Sequence, residues 1–177
     1  MVGEKNTAEV CPLKLRPFDP ASDFGPLKSW ICGERVHALW CAGRTKYPLE
    51  MDDLIRLLED HKEKYGDLPF TALDGEDKPV GFFCLAPDQN SGTAMLRFVV
   101  IDPARRGKGL GREMISLAAE RAFETGAEAV QLMVFAENTA ARKCYLAAGF
   151  EEDVLTEKAF KFREEEWGRL RMVKKKT

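Results

Sequence analysis

Alternating glycines at positions 107, 109 and 111, within the run Ile101–Arg112 (IDPARRGKGLGR), are the residues of this chain best suited to holding a ligand. Glycine lets the backbone approach a bound group closely and adopt positive φ. An apolar stretch ends just before these glycines and an amphipathic one begins with them, so they read as a strand-to-helix turn. The first amides of such a helix have no partner inside the helix. The helix dipole adds partial positive charge at the same end. Arg105, Arg106, Lys108 and Arg112 add full charges. The chemistry this pattern suits is capture of a phosphate or pyrophosphate.

Three phosphate ligands compete for such a turn. A P-loop requires lysine then serine or threonine after its second glycine, but Gly111 is followed by Arg112 and Glu113. A dinucleotide fingerprint requires a third glycine where Met114 stands, and normally follows an early strand. The pyrophosphate of coenzyme A is the third. A glycine-rich turn alone does not choose it.

Hydrophobic periodicity supplies the elements that would position the turn. Leu13–Phe18 alternates and predicts a short first strand. Residues 22–45 are mixed, with a short helix expected near Gly33–Ala42. Leu54, Leu57, Leu58 and His61 fall at helical spacing in Asp52–Tyr65, with Gly66 as the stop; His61 is expected as a packed or rim residue. Phe70–Leu73 and Pro79–Leu85 predict a hairpin around Asp74–Lys78. Thr93–Ile101 (TAMLRFVVI) is the strongest strand and ends at Asp102-Pro103. A helix follows to about Glu124, with Met114, Leu117, Ala118 and Ala122 inward. Then come a buried strand, Ala129–Phe135, and a helix, Asn138–Ala148, closed by Gly149. Phe160–Phe162 and Leu170–Val173 suggest a last hairpin. This order predicts a mixed α/β sheet in a single domain over 1–177, with 1–12 a frayed lead-in and 174–177 a basic tail.

Composition narrows the function classes. With 177 residues, 45% apolar and 32% charged, the chain has an ordinary globular balance. A net charge of −2 argues against a dedicated nucleic-acid binder. No stretch approaches the roughly 18 apolar residues of a membrane span, and MVGEKNTAEV lacks the apolar core of a secretory signal. Cys11, Cys32, Cys41, Cys84 and Cys144 are odd in number and form no C-x-x-C pair, and His37 and His61 are the only histidines. A disulfide framework or zinc knuckle is not expected. The economical reading is a cytoplasmic, reduced protein without a metal, bound to neither nucleic acid nor membrane.

Two blocks together resemble the GNAT superfamily of N-acetyltransferases. Arg106-Gly107-Lys108-Gly109-Leu110-Gly111 is similar to that family's Q/R-x-x-G-x-G/A pyrophosphate motif. Asn138–Phe150 (NTAARKCYLAAGF) is similar to its N-x-x-A-x-x-x-Y-x-x-x-G-F block, about 30 residues on. The close resemblance covers about residues 79–151. Phe160–Met172 looks more loosely like the last hairpin of bacterial Rim-type members. The resemblance implies a largely antiparallel mixed sheet with splayed fourth and fifth strands, and acetyl-CoA as cosubstrate. It implies that Arg106 through Arg112 hold the pyrophosphate. It also implies that backbone at Val99, Val100 and Ile101 holds the pantetheine arm and polarises the thioester carbonyl. Tyr145 falls on the tyrosine whose hydroxyl reaches the CoA sulfur; a phenol near pKa 10 stays protonated at neutral pH and can donate to the departing thiolate. Asn138 is placed to cap its helix, and the resemblance implies that it also hydrogen-bonds the pantetheine.

The resemblance leaves the acceptor side open. Related Rim-type enzymes often carry a glutamate on the fifth strand, five residues before the asparagine, where this chain has Met133. Either Glu137, Glu50 or Glu34 acts through water, or the amine arrives deprotonated, and no base is assigned. The expected acceptor is a protein N-terminus or a small-molecule amine. The alternatives are a different acyl group, a non-catalytic CoA-binding or regulatory module and, more remotely, a nucleotide-binding protein. Assembly as a homodimer is left open.

Overall fold

The computed structural model describes residues 12–87 and 90–177. The lead-in expected over residues 1–12 therefore lies almost wholly outside the described residues. Strands form where β-branched and aromatic residues alternate or run together: β1 (Lys14–Pro17), β2 (Leu68–Leu73), β3 (Pro79–Ala86), β4 (Thr93–Ile101), β5 (Ala129–Phe135), β6 (Glu151–Phe162) and β7 (Glu165–Lys175). They make one sheet in the order β1-β2-β3-β4-β5-β7-β6. Every neighbouring pair is antiparallel except β4 and β5, which run parallel. The expected mixed, largely antiparallel sheet is present.

Helices cover both faces. On one lie α4 (Leu110–Glu124) and α5 (Thr139–Ala147), over a core that includes Phe83, Leu96, Val130 and Leu132. Met114, Ile115, Ala118, Ala119 and Ala122 form the inward stripe of α4, with Leu117 partly buried beside it. On the other face lie α1 (Pro20–Trp30), α2 (Glu34–Cys41) and α3 (Met51–Tyr65), packed on Phe82, Cys84, Phe98 and Val100. A small third cluster joins Ala38 of α2 to Phe135 of β5 and Trp167 of β7.

Three sequence expectations need correction. Residues 20–30 are a full helix rather than mixed chain. Gly25 and Pro26 hide it from periodicity, since an interior proline removes a helix hydrogen bond at a cost of about 3 kcal/mol. The Asp19 side chain accepts from Ala21 N at the start of α1, and Leu27 and Trp30 are buried beneath it. Asp23, inside this helix, is buried and accepts both guanidinium nitrogens of Arg16 at 2.6 and 2.7 Å and the Thr71 hydroxyl at 2.7 Å. The final hairpin is also much longer than its apolar arms. The charged, exposed face of β6 over residues 151–158 masks a strand that forms the sheet edge. Finally, the basic tail starts later than expected: Lys174 and Lys175 pair with Val130 and Ala129, and Lys176 N donates to Glu128 O at 2.9 Å.

Candidate active site

The parallel pairing of β4 with β5 runs only from Thr93↔Ala129 to Leu96↔Leu132. From Arg97 to Ile101, β4 has no partner on β5, so the two strands open into a V. A bulge marks the opening. The register of β4 on β3 slips between Phe82↔Val100 and Cys84↔Arg97, and Phe98 takes φ 53°. Positive φ is unusual for a bulky residue, and the surrounding structure holds it: Trp40 Nε1 donates to Phe98 O at 2.8 Å. The bulge changes which side chains face which layer. Leu96, Val99 and Ile101 pack toward α4 and α5, while Phe98 and Val100 pack toward α1–α3. On the other arm, Phe135 stacks edge-on with Trp167 at 5.2 Å and packs on Phe160 at 5.1 Å, tying β5 to the last hairpin. The expected pantetheine residues Val99, Val100 and Ile101 thus all lie on the open arm of β4, where Val100 and Ile101 are paired to β3 on the far side.

The glycine-rich turn sits at the tip of that arm. Asp102 N donates to Val80 O, and the short helical turn Pro103–Arg105 leads to Arg106 in an extended conformation. Gly107 and Gly109 both have φ +78°, and a Cβ on either would meet nothing within 4 Å. Their role is conformational, with open space before them. Gly109 is the N-cap of α4 and has no side chain to cap it, so the amides of Leu110, Gly111 and Arg112 point out of the helix end. Gly111 differs: a Cβ there would lie 3.0 Å from Cys144 Sγ and 3.6 Å from Ile101. Its smallness lets α4 meet α5 and β4. Arg106, Lys108 and Arg112 are exposed around the turn. Arg105 is not available to a ligand in the same way, because its guanidinium is bonded to Asp74 Oδ2 at 2.9 Å.

Helix α5 brings the second block to the same place. The Asn138 side chain accepts from Ala141 N at 3.3 Å, so it does cap the helix. Tyr145 is 6% exposed, its ring 6.2 Å from that of Phe150, in the core shared with Leu132 and Val134. Burial pushes its phenol above the ordinary value, aided by neighbouring Cys144. The hydroxyl therefore holds its proton throughout the neutral range. Cys144 is half-buried, and burial raises its thiol as well.

Across the sheet, the V opens into a cleft of about 500 Å³. Its walls are the end of α2 from Leu39 to Arg44, Met95–Phe98 of β4, Met133–Phe135 of β5, and Ala159, Phe160 and Arg169 of the last hairpin. Met133, 45% exposed, lies in this wall. None of the acidic candidates is among the lining residues. Glu34 is paired with Arg163, Glu50 with Lys28 at 3.0 Å, and Glu137 accepts from Gly168 N at 3.2 Å. His61 is buried as expected, 4.9 Å ring to ring from Phe98, with Nδ1 3.0 Å from Asp67 Oδ2. Burial, only partly opposed by Asp67, holds its imidazole below the ordinary value. Among the described residues no group of three or more His, Cys, Asp or Glu side chains is placed to hold a metal, and no helix is long and apolar enough to cross a membrane.

The residues that sequence reasoning missed are those of this cleft: Trp40, Arg44, Arg97, Phe98 and Arg169. Only Arg97 carried a signal, as the one charge inside an otherwise apolar strand. The rest come from segments far apart in the chain.

Known proteins share this fold. The acetyltransferase (GNAT) family pattern matches residues 34–150. An uncharacterised N-acetyltransferase of Methanocaldococcus jannaschii is 32% identical over 111 residues, 60% of this chain. The chain spans 45% of that relative's length, so less than half of it is matched. A spermidine N-acetyltransferase from Vibrio cholerae, solved with CoA and spermine, superimposes with a TM-score of 0.75 at 22% identity, covering 91% of this chain and 94% of its own. A ribosomal-protein-alanine N-acetyltransferase from Brucella melitensis does so with 0.71 at 19% identity, covering 92% and 99%. At such identities the structural likeness establishes the fold, with its parallel β4–β5 pair. The match of the family pattern across most of that fold establishes the rest: this chain belongs to the GNAT family of acetyltransferases.

Proposed function

We propose that the chain is an acetyl-CoA-dependent N-acetyltransferase that moves the acetyl group directly from the thioester to an amine, on a small molecule or a protein N-terminus. One observation carries this reading. The V between β4 and β5 is bordered on one face by the glycine turn, Ile101 and α5, and opens on the other into a separate cleft. A thioester in the V would be reached from both sides.

Residues 106–112 hold the pyrophosphate through outward amides and the charges of Arg106, Lys108 and Arg112. Backbone on the open arm, Val99 to Ile101, holds the pantetheine arm and donates to the carbonyl oxygen as it gains charge. Asn138 contributes its amide to the same arm. The amine nitrogen attacks from the cleft; its bond to the acetyl carbon forms, and the carbon–sulfur bond breaks. Tyr145 gives its proton to the leaving sulfur and regains one from solvent. The amine proton leaves to water. Acceptors near pKa 8, such as α-amino groups, need the least help with that step.

The test has two parts. Acetyl-CoA at about 100 times its Kd should stabilise the fold by about 2.7 kcal/mol, whereas ATP and NAD should not; the reverse order in a thermal-shift scan removes the reading. Thiol release with a panel of amines then separates a transferase from a module that only binds CoA, which would shift the melting temperature yet release nothing.

A further inference from the structure

The cleft wall is cationic, and among the described residues two of its three arginines, Arg44 and Arg169, have no carboxylate partner. Arg44, Arg97 and Arg169 line it, and no carboxylate does. Most arginines elsewhere are paired. Arg16, Arg35, Arg105, Arg142, Arg163 and Arg171 each have a carboxylate oxygen within 3 Å, and Arg56 has one at 3.9 Å. Among the described residues, the arginines without a carboxylate partner fall in three places. Arg106 and Arg112 flank the phosphate turn, Arg121 stands 4.7 Å over the Phe70 ring, and Arg44 and Arg169 lie in the cleft. An unpaired guanidinium at a phosphate-binding turn has an evident anionic partner. The same logic applies to the cleft.

Two of the three groups have fixed partners. Arg97 is bonded to Asp67, which is 1% exposed and also bonded to His61; it stands 4.5 Å over the Tyr65 ring. Its charge is half-answered and its direction set. Arg44 donates to Cys41 O at 3.2 Å, at the end of α2. Arg169 reaches the wall from β7, opposite Phe135. Between them Trp40, Phe98 and Phe160 present apolar surface. Like charges repel, so a polycationic amine is disfavoured in this cleft. A guanidinium fork instead matches a carboxylate or phosphate through two parallel hydrogen bonds.

We infer that the acceptor is an amine that carries its own anion, a carboxylate or phosphate received by Arg44 and Arg169, beside an apolar body that rests on the aromatic wall. This inference rests on the N-acetyltransferase reading and names its substrate class. It predicts discrimination against polyamines despite the shared fold.

Matched acceptors test it by thiol release at saturating acetyl-CoA. L-Phenylalanine is compared with L-phenylalaninamide, phosphoethanolamine with ethanolamine, and all four with spermidine. The amide is the less basic amine and has more free base at neutral pH, so a preference for the acid cannot come from nucleophile supply. The expected result is a kcat/KM for the better anionic member roughly 10- to 100-fold above that of its uncharged partner, the worth of one charge-assisted hydrogen bond. Which pair shows it distinguishes carboxylate from phosphate. Arg169→Gln and Arg44→Gln, both on the cleft wall, should each raise KM for the anionic acceptor by about 10-fold and leave KM for its neutral partner unchanged. Equal rates within both pairs, or spermidine as the best acceptor, overturns the inference; a thermal shift with acetyl-CoA but no thiol release from any amine overturns the transferase reading and the inference with it. No thermal shift with acetyl-CoA overturns the underlying reading instead.

Discussion

On the function proposed for this chain, the two faces of the sheet recognise their ligands by different means. On the α4–α5 face, the binding elements are backbone: helix-end amides after Gly109, the unpaired arm of β4, and glycines whose φ opens the turn. On the α1–α3 face, the cleft is built from side chains of α2, β4, β5 and the β6–β7 hairpin. A backbone site needs one short contiguous segment with the right conformation. A side-chain site can be assembled from any residues the fold brings together. The proposed donor site is therefore local in the chain, and the proposed acceptor site is dispersed.

The sharpest way to break this division is at Tyr145, the donor-face residue proposed to act through its side chain. Tyr145→Phe should slow thiol release by about 10²- to 10⁴-fold at saturating substrates. Turnover equal to the parent would make the tyrosine a packing residue against Phe150. The turn glycines come next. At φ +78°, valine at position 109 is strained by about 1–3 kcal/mol and fills the open approach to the amides. Gly109→Val should raise the acetyl-CoA KM by roughly 10-fold or more, with the acceptor KM unmoved. Gly111→Ala should behave differently. Its new methyl presses on Cys144 and lowers unfolding stability by about 1–3 kcal/mol, read as a shift in urea midpoint, without a selective change in acetyl-CoA KM. If the two variants are indistinguishable, the separation of a conformational from a packing glycine fails.

Trp40 links the faces, since its indole holds the bulge carbonyl of Phe98 from the acceptor side. Trp40→Phe leaves that carbonyl without its donor and should cost about 1–3 kcal/mol of stability. If the bulge shapes the open arm, kcat falls as well; a stability loss with kcat intact would mean that the arm keeps its shape unaided. The smallest effect concerns pH. His37 is buried with Nε2 2.8 Å from Thr45 Oγ1, and burial lowers its pKa. Its folded-state pKa lies below its unfolded value near 6.5, so below that pH the unfolded chain binds more protons and stability rises with pH. The contribution is complete above about pH 6.5 and is lost as pH falls toward the folded-state value. His61 shifts in the same direction, and both histidines belong to the α1–α3 half. Urea midpoints at pH 7.5 and 5.5 should therefore converge partly in His37→Asn. Hydrogen exchange at the lower pH should loosen α2 and α3 before α4; uniform loosening would contradict a difference between the halves.

The legibility of the chain follows the same division. The strand, turn and helix from Thr93 to Glu124 were readable because a period change, a proline and three glycines coincide at one boundary. The helix Thr139–Ala147 was readable from its Asn138 cap and Gly149 stop. Helix α1 was not, because Gly25 and Pro26 speak against a helix locally while burial of Leu27 and Trp30 decides for it. Nor was the bulge at Phe98: a phenylalanine with positive φ leaves no mark in a strand-forming run, and the group that bonds its carbonyl, Trp40, is 58 residues away. Met133 was visible as a departure from the glutamate of related enzymes, but its place in the wall of an arginine-lined cleft was not.

By itself, the amino-acid order determined what depends on neighbours along the chain: the α/β pattern, the glycine-rich turn, the cap and the tyrosine four residues after Ala141. The tertiary structure alone decided where the sheet splits and which charges face the acceptor. Bulge, aromatic clamp and cleft arginines arise from contacts across large chain separations, and residue spacing carries no information about those until the sheet has closed around them.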